Sequence, residues 1–288
     1  MPTFDVRCDL EYETTGNADF VFAIEAATDP EQTVASEALV VSPMASRHTW
    51  RDPRTGNRLT KVTTRGGPVL VRYIAEVDLC RYRPLGHERE LPVHALPTDV
   101  LPYIWPSRYC ESDALMGLAR RLFGHLTPGW SRIETICRWI RTNVQYQVGT
   151  SGPTHSARDV LLNGAGVCRD YAHIAIAFCR ALNVPARFVT GYTMYDDPPP
   201  DFHAIFEVFL EDRWIMVDAT QLAPETHFIR IATGLDAADC AFATIFGMVR
   251  MVRWSPEVFF HDPLIDASRL VQRDPRVDQL PHRLSLAA

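Results

Sequence analysis

No apolar run in the chain approaches the roughly 20 residues that a membrane-spanning helix needs, so no membrane is expected as a partner. There is no CxxC pair, which removes zinc-ribbon and thioredoxin-like readings. HExxH, P-loop and GxGxxG motifs are all missing, so metalloprotease, nucleotide-binding and dinucleotide chemistry lack a foothold and neither a metal nor a cofactor is expected. Basic excess is missing too. Lys plus Arg total 29 against 35 Asp plus Glu, giving −6 with neutral histidines. Phosphate neutralisation needs a basic surface, so nucleic acid is not an expected partner either. The opening MPTFDVRCDL lacks the basic-then-apolar layout of a signal peptide, and a cytoplasmic location is the expectation.

What is present is an ordinary globular composition. The 288 residues are 47% hydrophobic and 22% charged, enough for one large domain or two ordinary ones. The seven cysteines are an odd, scattered set, which disfavours an exported disulfide scaffold. The default for each is a reduced, small, buried apolar residue. Cys168 alone stands in a context that asks for more.

Residues 1–95 read as β. Phe4, Val6, Cys8, Leu10 and Tyr12 alternate with polar partners, as do Val69, Val71, Tyr73, Ala75, Val77 and Leu79. Strict alternation means a strand with one buried face. Turn chemistry at Asp29-Pro30, Asp52-Pro53, Gly56-Asn57 and Gly66-Gly67-Pro68 cuts the region into several strands, an antiparallel β-sandwich. From about residue 97 the period becomes helical. Helices are expected over 112–124, over 131–144 with Ser131 and Glu134 as a capping box, over 156–163 ended by Gly164, and from Cys168 through Leu182. Strands follow at 186–193, 203–210 and 213–218. Helices and then strands make an α+β domain rather than alternating βαβ units. The expected organisation is therefore 1–95 as a β-sandwich, 96–250 as an α+β core, and 251–288 as an extension in which Pro256, Pro263, Pro275 and Pro281 break any long element.

Three segments carry the chemistry. In Gly164-Ala-Gly-Val-Cys168 the glycines deliver the chain to a helix start, where unpaired amides and the helix dipole favour a thiolate and can hold an oxyanion. His203 opens one strand and Asp218 ends the next. If Glu211-Asp212 is a two-residue turn, facing positions place Asp218 opposite Ile205, one diagonal step from His203 and on the same face, together with Trp214 and Met216. A nucleophile, a base and an orienting carboxylate in the order Cys, His, Asp is the makeup of a thiol triad. Nearby polar residues have plainer explanations: Asp170 as helix-start charge, His173 as a packed helix histidine, and His155, Ser156 and Asp159 as capping. Tyr192 either lines the cleft or closes it. His227, His261 and His282 have no partner legible in sequence.

The segments GAGVCRDYAHIAIAFCRALNVPARFVTGY and DFHAIFEVFLEDRWIMVDAT resemble the bacterial transglutaminase-like superfamily, a branch of the papain-like thiol enzymes. RWIRTNVQY, SARDVLLNGAG and FIRIATGLDAADCAFATIFG look like that family too, and the β region resembles its bacterial N-terminal domain. The resemblance implies a papain-like core with Cys168 as nucleophile, His203 as general base and Asp218 as orienter. The activity it implies is acyl transfer on a peptide or glutamine-type amide, with a protein or peptide as substrate. Hydrolysis is expected over transamidation, because water is always present and no acceptor groove is legible. The alternative is a non-enzymatic protein-binding module that keeps a remnant triad. Three departures stand out. Arg169 replaces the Trp that animal transglutaminases carry after the nucleophile. Asp-Ala-Thr-Gln replaces the bacterial Asp-Pro-Thr-Asn. Of the upstream tryptophans that could serve as the animal enzymes' oxyanion donor, Trp130 and Trp139, the second falls in an amphipathic helix as a core residue.

Overall fold

The computed structural model describes residues 1–43, 45–194 and 201–261. Six strands come first: β1 (Thr3–Thr14), β2 (Ala18–Phe22), β3 (Gln32–Ser42), β4 (Ser46–Arg51), β5 (Arg58–Thr64) and β6 (Gly67–Leu79). The helical region holds α1 (Ser112–Phe123), α2 (Trp130–Asn143), the short β7 (Gln145–Tyr146), α3 (Ala157–Asn163), β8 (Ala165–Gly166) and α4 (Cys168–Ala181). Then follow β9 (Ala186–Tyr192), β10 (His203–Leu210), β11 (Arg213–Val217), β12 (Ile229–Gly234), β13 (Ala243–Phe246) and β14 (Val249–Phe260). This is a mixed α+β molecule with three four-stranded antiparallel sheets and one short parallel pair, β7 with β8.

Two of the sheets form the sandwich, in the orders β14-β1-β6-β3 and β13-β2-β5-β4. The two best alternating stretches of the sequence are direct neighbours: Phe4 faces Val77, Cys8 faces Tyr73 and Leu10 faces Val71. Their inward side chains are buried along with Phe20, Phe22 and Val62. Each fully buried large apolar side chain contributes about 1.5–3 kcal/mol by leaving water.

Each sandwich sheet takes an edge strand from beyond residue 240. The proline rule fails at Pro256, which stands within β14 opposite Cys8. β14 is an edge strand, where a residue without an N–H can sit with that position turned away from the ladder. Pro263, Pro275, Pro281 and His282 lie outside the described residues. Two further histidines do have partners: His227 packs against the rings of Phe4 and Phe260, and His261 Nδ1 is 2.9 Å from Asp5 Oδ1.

The third sheet has the order β11-β10-β9-β12. β12 was not legible as a strand in the sequence. The helix α4 packs on β9 and β10 and is enclosed by the other helices, so every residue from Asp170 to Ala181 is buried. α2 begins one residue earlier than expected, and Ser131 is not its cap. Gly129, at φ +130°, occupies that position and donates its N–H to Glu90 Oε1 at 2.9 Å, while Arg132 pairs with the same carboxylate. A side chain from the preceding segment thus does the work expected of the local box. Among the described residues no helix is long and apolar enough to cross a membrane.

Candidate active site

The approach to Cys168 is set by two glycines with different jobs. Gly164 ends α3 in the left-handed region at φ +69°, where a side chain is strained. Gly166 is needed for space, because a Cβ there would lie 2.8 Å from Asp170 Cβ and 2.9 Å from Val160 Cγ1. Between them the chain pairs with β7, and Gln147 N donates to Gly166 O at 2.9 Å. Val167 is extended, its N–H donates to Asp170 Oδ2 at 2.8 Å, and Cys168 is the first residue of α4. The thiol therefore sits at the amide end of a helix whose body is locked in the core. Cys168 is half-buried. Cys8, Cys110, Cys137, Cys179 and Cys240 are buried, and burial pushes their thiols up, Cys110 and Cys137 to about 12. Cys80 departs from the buried default and is exposed.

The β10–β11 hairpin has the expected two-residue loop, with Glu211 at φ +55°. Phe206 faces Val217 and Leu210 faces Arg213, the register anticipated from the turn. Met216 shares an apolar cluster with Ile205, Val189 and Phe228, and Trp214 meets the Phe209 ring. His203 opens β10 opposite Gly191 of β9. A Cβ on Gly191 would meet Ile229 O at 2.2 Å and the Phe228 ring at 2.6 Å. The glycine thus lets Phe228 stand edge-on to the His203 ring, with centroids 6.3 Å apart.

His203 Nε2 is 3.0 Å from Asp218 Oδ2, and both residues are almost fully buried. Cys168 acts on the same imidazole electrostatically, while Nε2 is turned to Asp218. Burial opposes charge on His203. The hydrogen bond to Asp218, together with the influence of Cys168, outweighs it and raises the imidazole to about 10. Burial likewise opposes charge on Asp218, yet its bonds to His203 and Thr220 hold its carboxyl below the usual range.

The turn after β11 supplies a clamp that sequence reasoning missed. Thr220 N and Oγ1 donate to Asp218 Oδ1 at 2.8 and 2.7 Å, and Ala223 N donates to Oδ2 at 3.2 Å. Asp218 N in turn donates to Glu225 Oε1 at 3.1 Å, and Arg141 Nη1 to Ala219 O at 3.1 Å. An aspartate two residues before a threonine is an Asx-turn signal, and it was available in the sequence.

The remaining residues keep their plainer roles. Asp170 is fully buried as the α4 helix-start acceptor and also takes Ser151 Oγ at 2.9 Å. His173 is buried, accepts Ala237 N at 3.2 Å, stacks on Tyr109, and is pushed by burial to about 3, so it is neutral. Tyr192 closes rather than lines the cleft: it is fully buried and its hydroxyl donates to Ile24 O at 2.6 Å. Ser156 and Asp159 form the α3 capping box, and His155 Nδ1 accepts Gly152 N at 3.2 Å. Trp139 meets the Phe123 and Phe178 rings edge-on in the core, whereas Trp130 lines a cavity of about 650 Å³ that also touches Asp218. Among the described residues no group of three His, Cys, Asp or Glu side chains is placed to hold a metal ion.

Residues 117–219 match the model of the transglutaminase-like superfamily, a span that contains Cys168, His203 and Asp218. A crystal structure from Cytophaga hutchinsonii, described as a candidate cysteine protease, superposes with a TM-score of 0.85 at 36% identity, covering 91% of each chain. The chain belongs to the transglutaminase-like superfamily. Two curated relatives match a shorter stretch. An uncharacterised protein of Mycobacterium leprae is 40% identical over 119 residues, and one of Mycobacterium tuberculosis is 38% identical over 109. The chain spans only 42% and 32% of their lengths. The likeness supports membership in a thiol-dependent hydrolase family.

Within this transglutaminase-like fold the departures acquire local explanations. Arg169 donates to Gly152 O at 2.6 Å and to Ser151 Oγ, fastening the loop before α3 to the start of α4. The Ala-Thr-Gln that follows Asp218 forms the Asx turn, with Gln221 at φ +58°, and leaves the carboxylate on His203.

Proposed function

We propose that the protein is a thiol hydrolase that cleaves a peptide bond or a glutamine-type side-chain amide through a thioester on Cys168. The observation that carries this reading is the buried His203–Asp218 pair, with Cys168 at the start of α4 acting on the same imidazole. His203 carries a proton at neutral pH, and the Cys168 sulfur attacks the amide carbonyl. The tetrahedral oxyanion faces the amides at the start of α4. Collapse breaks the C–N bond, and His203 gives its proton to the leaving amine. Neutral His203 then takes a proton from water as the hydroxide attacks the thioester. The acid departs and the proton stays on His203, restoring the starting pair. Asp218 holds the imidazole orientation throughout. Hydrolysis is preferred to transamidation, because water is always present as an acceptor.

The test is turnover by the full chain and its Cys168→Ala variant on a peptide library, with a primary amine present and absent. The reading expects released acid that depends on Cys168. Well-folded protein that labels at Cys168 but turns over nothing would favour the binding-module alternative. Amine incorporation outpacing acid release would make the protein a transamidase.

A further inference from the structure

The turn that carries Asp218 is also one wall of the cavity of about 650 Å³. The facing wall is a stripe of α2, where Trp130, Glu134, Arg138 and Arg141 recur every three or four residues and so share one helical face. Arg83, from the segment leaving the sandwich, joins the lining. Neither Cys168 nor His203 does. The cavity reaches the orienting carboxylate without being lined by the other two residues, and its size is that of a small-ligand site.

Its charges come in two signs. Arg83, Arg138 and Arg141 face the same space as Glu134 and Glu225, while Asp218 is already committed to His203. Among the described residues Arg83, Arg138 and Glu134 have no ion-pair partner, although Glu134 and Arg138 stand one helical turn apart. A phosphate-like dianion would meet the repulsion of two glutamates. An apolar ligand would strip water from unpaired charges and give nothing back. A ligand that separates one negative and one positive charge satisfies both sets.

We propose that this cavity binds a zwitterion, a short peptide with free termini, its carboxylate held by Arg83 and Arg138 and its ammonium by Glu134 and Glu225. Trp130 supplies an aromatic wall for the chain between the two ends. The inference goes beyond the hydrolase reading and does not depend on turnover. It does bear on the same machinery, because Arg141 and Glu225 are the residues that clamp the Asp218 turn.

The experiment is calorimetric titration of the full-length Cys168→Ala protein with a panel of twenty Gly-Xaa-Gly tripeptides carrying free termini. The proposal expects saturable one-to-one binding by at least one member. Affinity should fall tenfold or more in Arg83→Ala/Arg138→Ala, and a comparable loss should follow from N-acetylating or C-amidating the peptide. Both arginines are exposed, so the variant keeps the fold. Glu134→Gln, also exposed, is the second variant and should weaken the free-amine peptide while leaving its acetylated form unchanged. No binding across the panel, undiminished binding to the arginine variant, or equal binding of blocked peptides would each overturn the proposal. Because the thiol is absent throughout, the result stands apart from whether Cys168 hydrolyses anything.

Discussion

Asp218 accepts two hydrogen bonds on Oδ1 and, on Oδ2, one from Ala223 N and one from His203 Nε2. A carboxylate with this many donors resists substitution even by its own amide. Asp218→Asn removes the charge that steadies the imidazolium and turns an N–H toward one of these donors. On the proposed mechanism turnover should fall on the order of a hundredfold or more while the fold persists. Asp212→Asn, exposed on the same hairpin, should change nothing, and equal losses in both would point to the hairpin rather than the carboxylate. The same contact predicts a titration. His203 should stay protonated through neutral pH and lose its proton near pH 10, read from imidazole resonances, and Asp218→Asn should bring that midpoint down. The folded-state value lies above the ordinary histidine value of about 6.5, so folding binds this proton more tightly than the unfolded chain does. The stabilisation is complete below about pH 6.5 and is lost as pH rises through about 10. The His203–Asp218 pairing was legible in the sequence because a two-residue turn fixes hairpin register. The clamp by Ala223 and Glu225 was not, because it depends on how an irregular segment folds back.

The elements that present the thiol rely on close approach. At Gly166 an added Cβ would drive into Asp170, the acceptor that fixes the start of α4. Gly166→Ala should therefore cost about 1–3 kcal/mol and, on the proposed mechanism, lower activity out of proportion to stability, because the displaced residue is two positions from Cys168. Chemical denaturation and turnover on one preparation separate the two effects. The four helices and the β9–β11 strands were legible from period and punctuation. β12, β13 and β14 were not. Ile229–Gly234 is too short to show alternation, and Pro256 reads as a breaker unless its strand is known to be an edge. The start of α2 was misread because its cap comes from Glu90, far away in sequence.

Across the whole chain, the sandwich takes its edge strands β13 and β14 from beyond the core and is tied to the core by polar contacts. Gln32 of β3 bonds to the backbone of Arg230 through both ends of its amide. Arg230 pairs with Asp29 at 2.6 Å and with Glu207, a fully buried carboxylate that also takes Arg187 at 2.5 Å. These arginines hold Glu207 below the usual range against the opposing effect of burial. Glu207→Ala would remove the carboxylate that Arg187 and Arg230 share, leaving Arg230 with Asp29 alone, and should destabilise the chain by about 3 kcal/mol, visible as a lowered denaturation midpoint. Calorimetry of the intact chain should show one unfolding transition, and two well-separated transitions would mean that these shared contacts do not couple the halves.

Seven thiols compete in one molecule, and their relative rates report whether His203 activates Cys168. Exposure alone favours Cys80, which is at the surface, over the half-buried Cys168. Chemistry favours Cys168, because His203 lies beside it. The measurement is limited alkylation by iodoacetamide at pH 6, where an unassisted thiol is mostly protonated, with each site quantified by peptide mass spectrometry. Cys168 should be modified at least tenfold faster than Cys80, and His203→Ala should abolish the difference. Faster modification of Cys80, or a Cys168 rate untouched by His203→Ala, would contradict activation by His203.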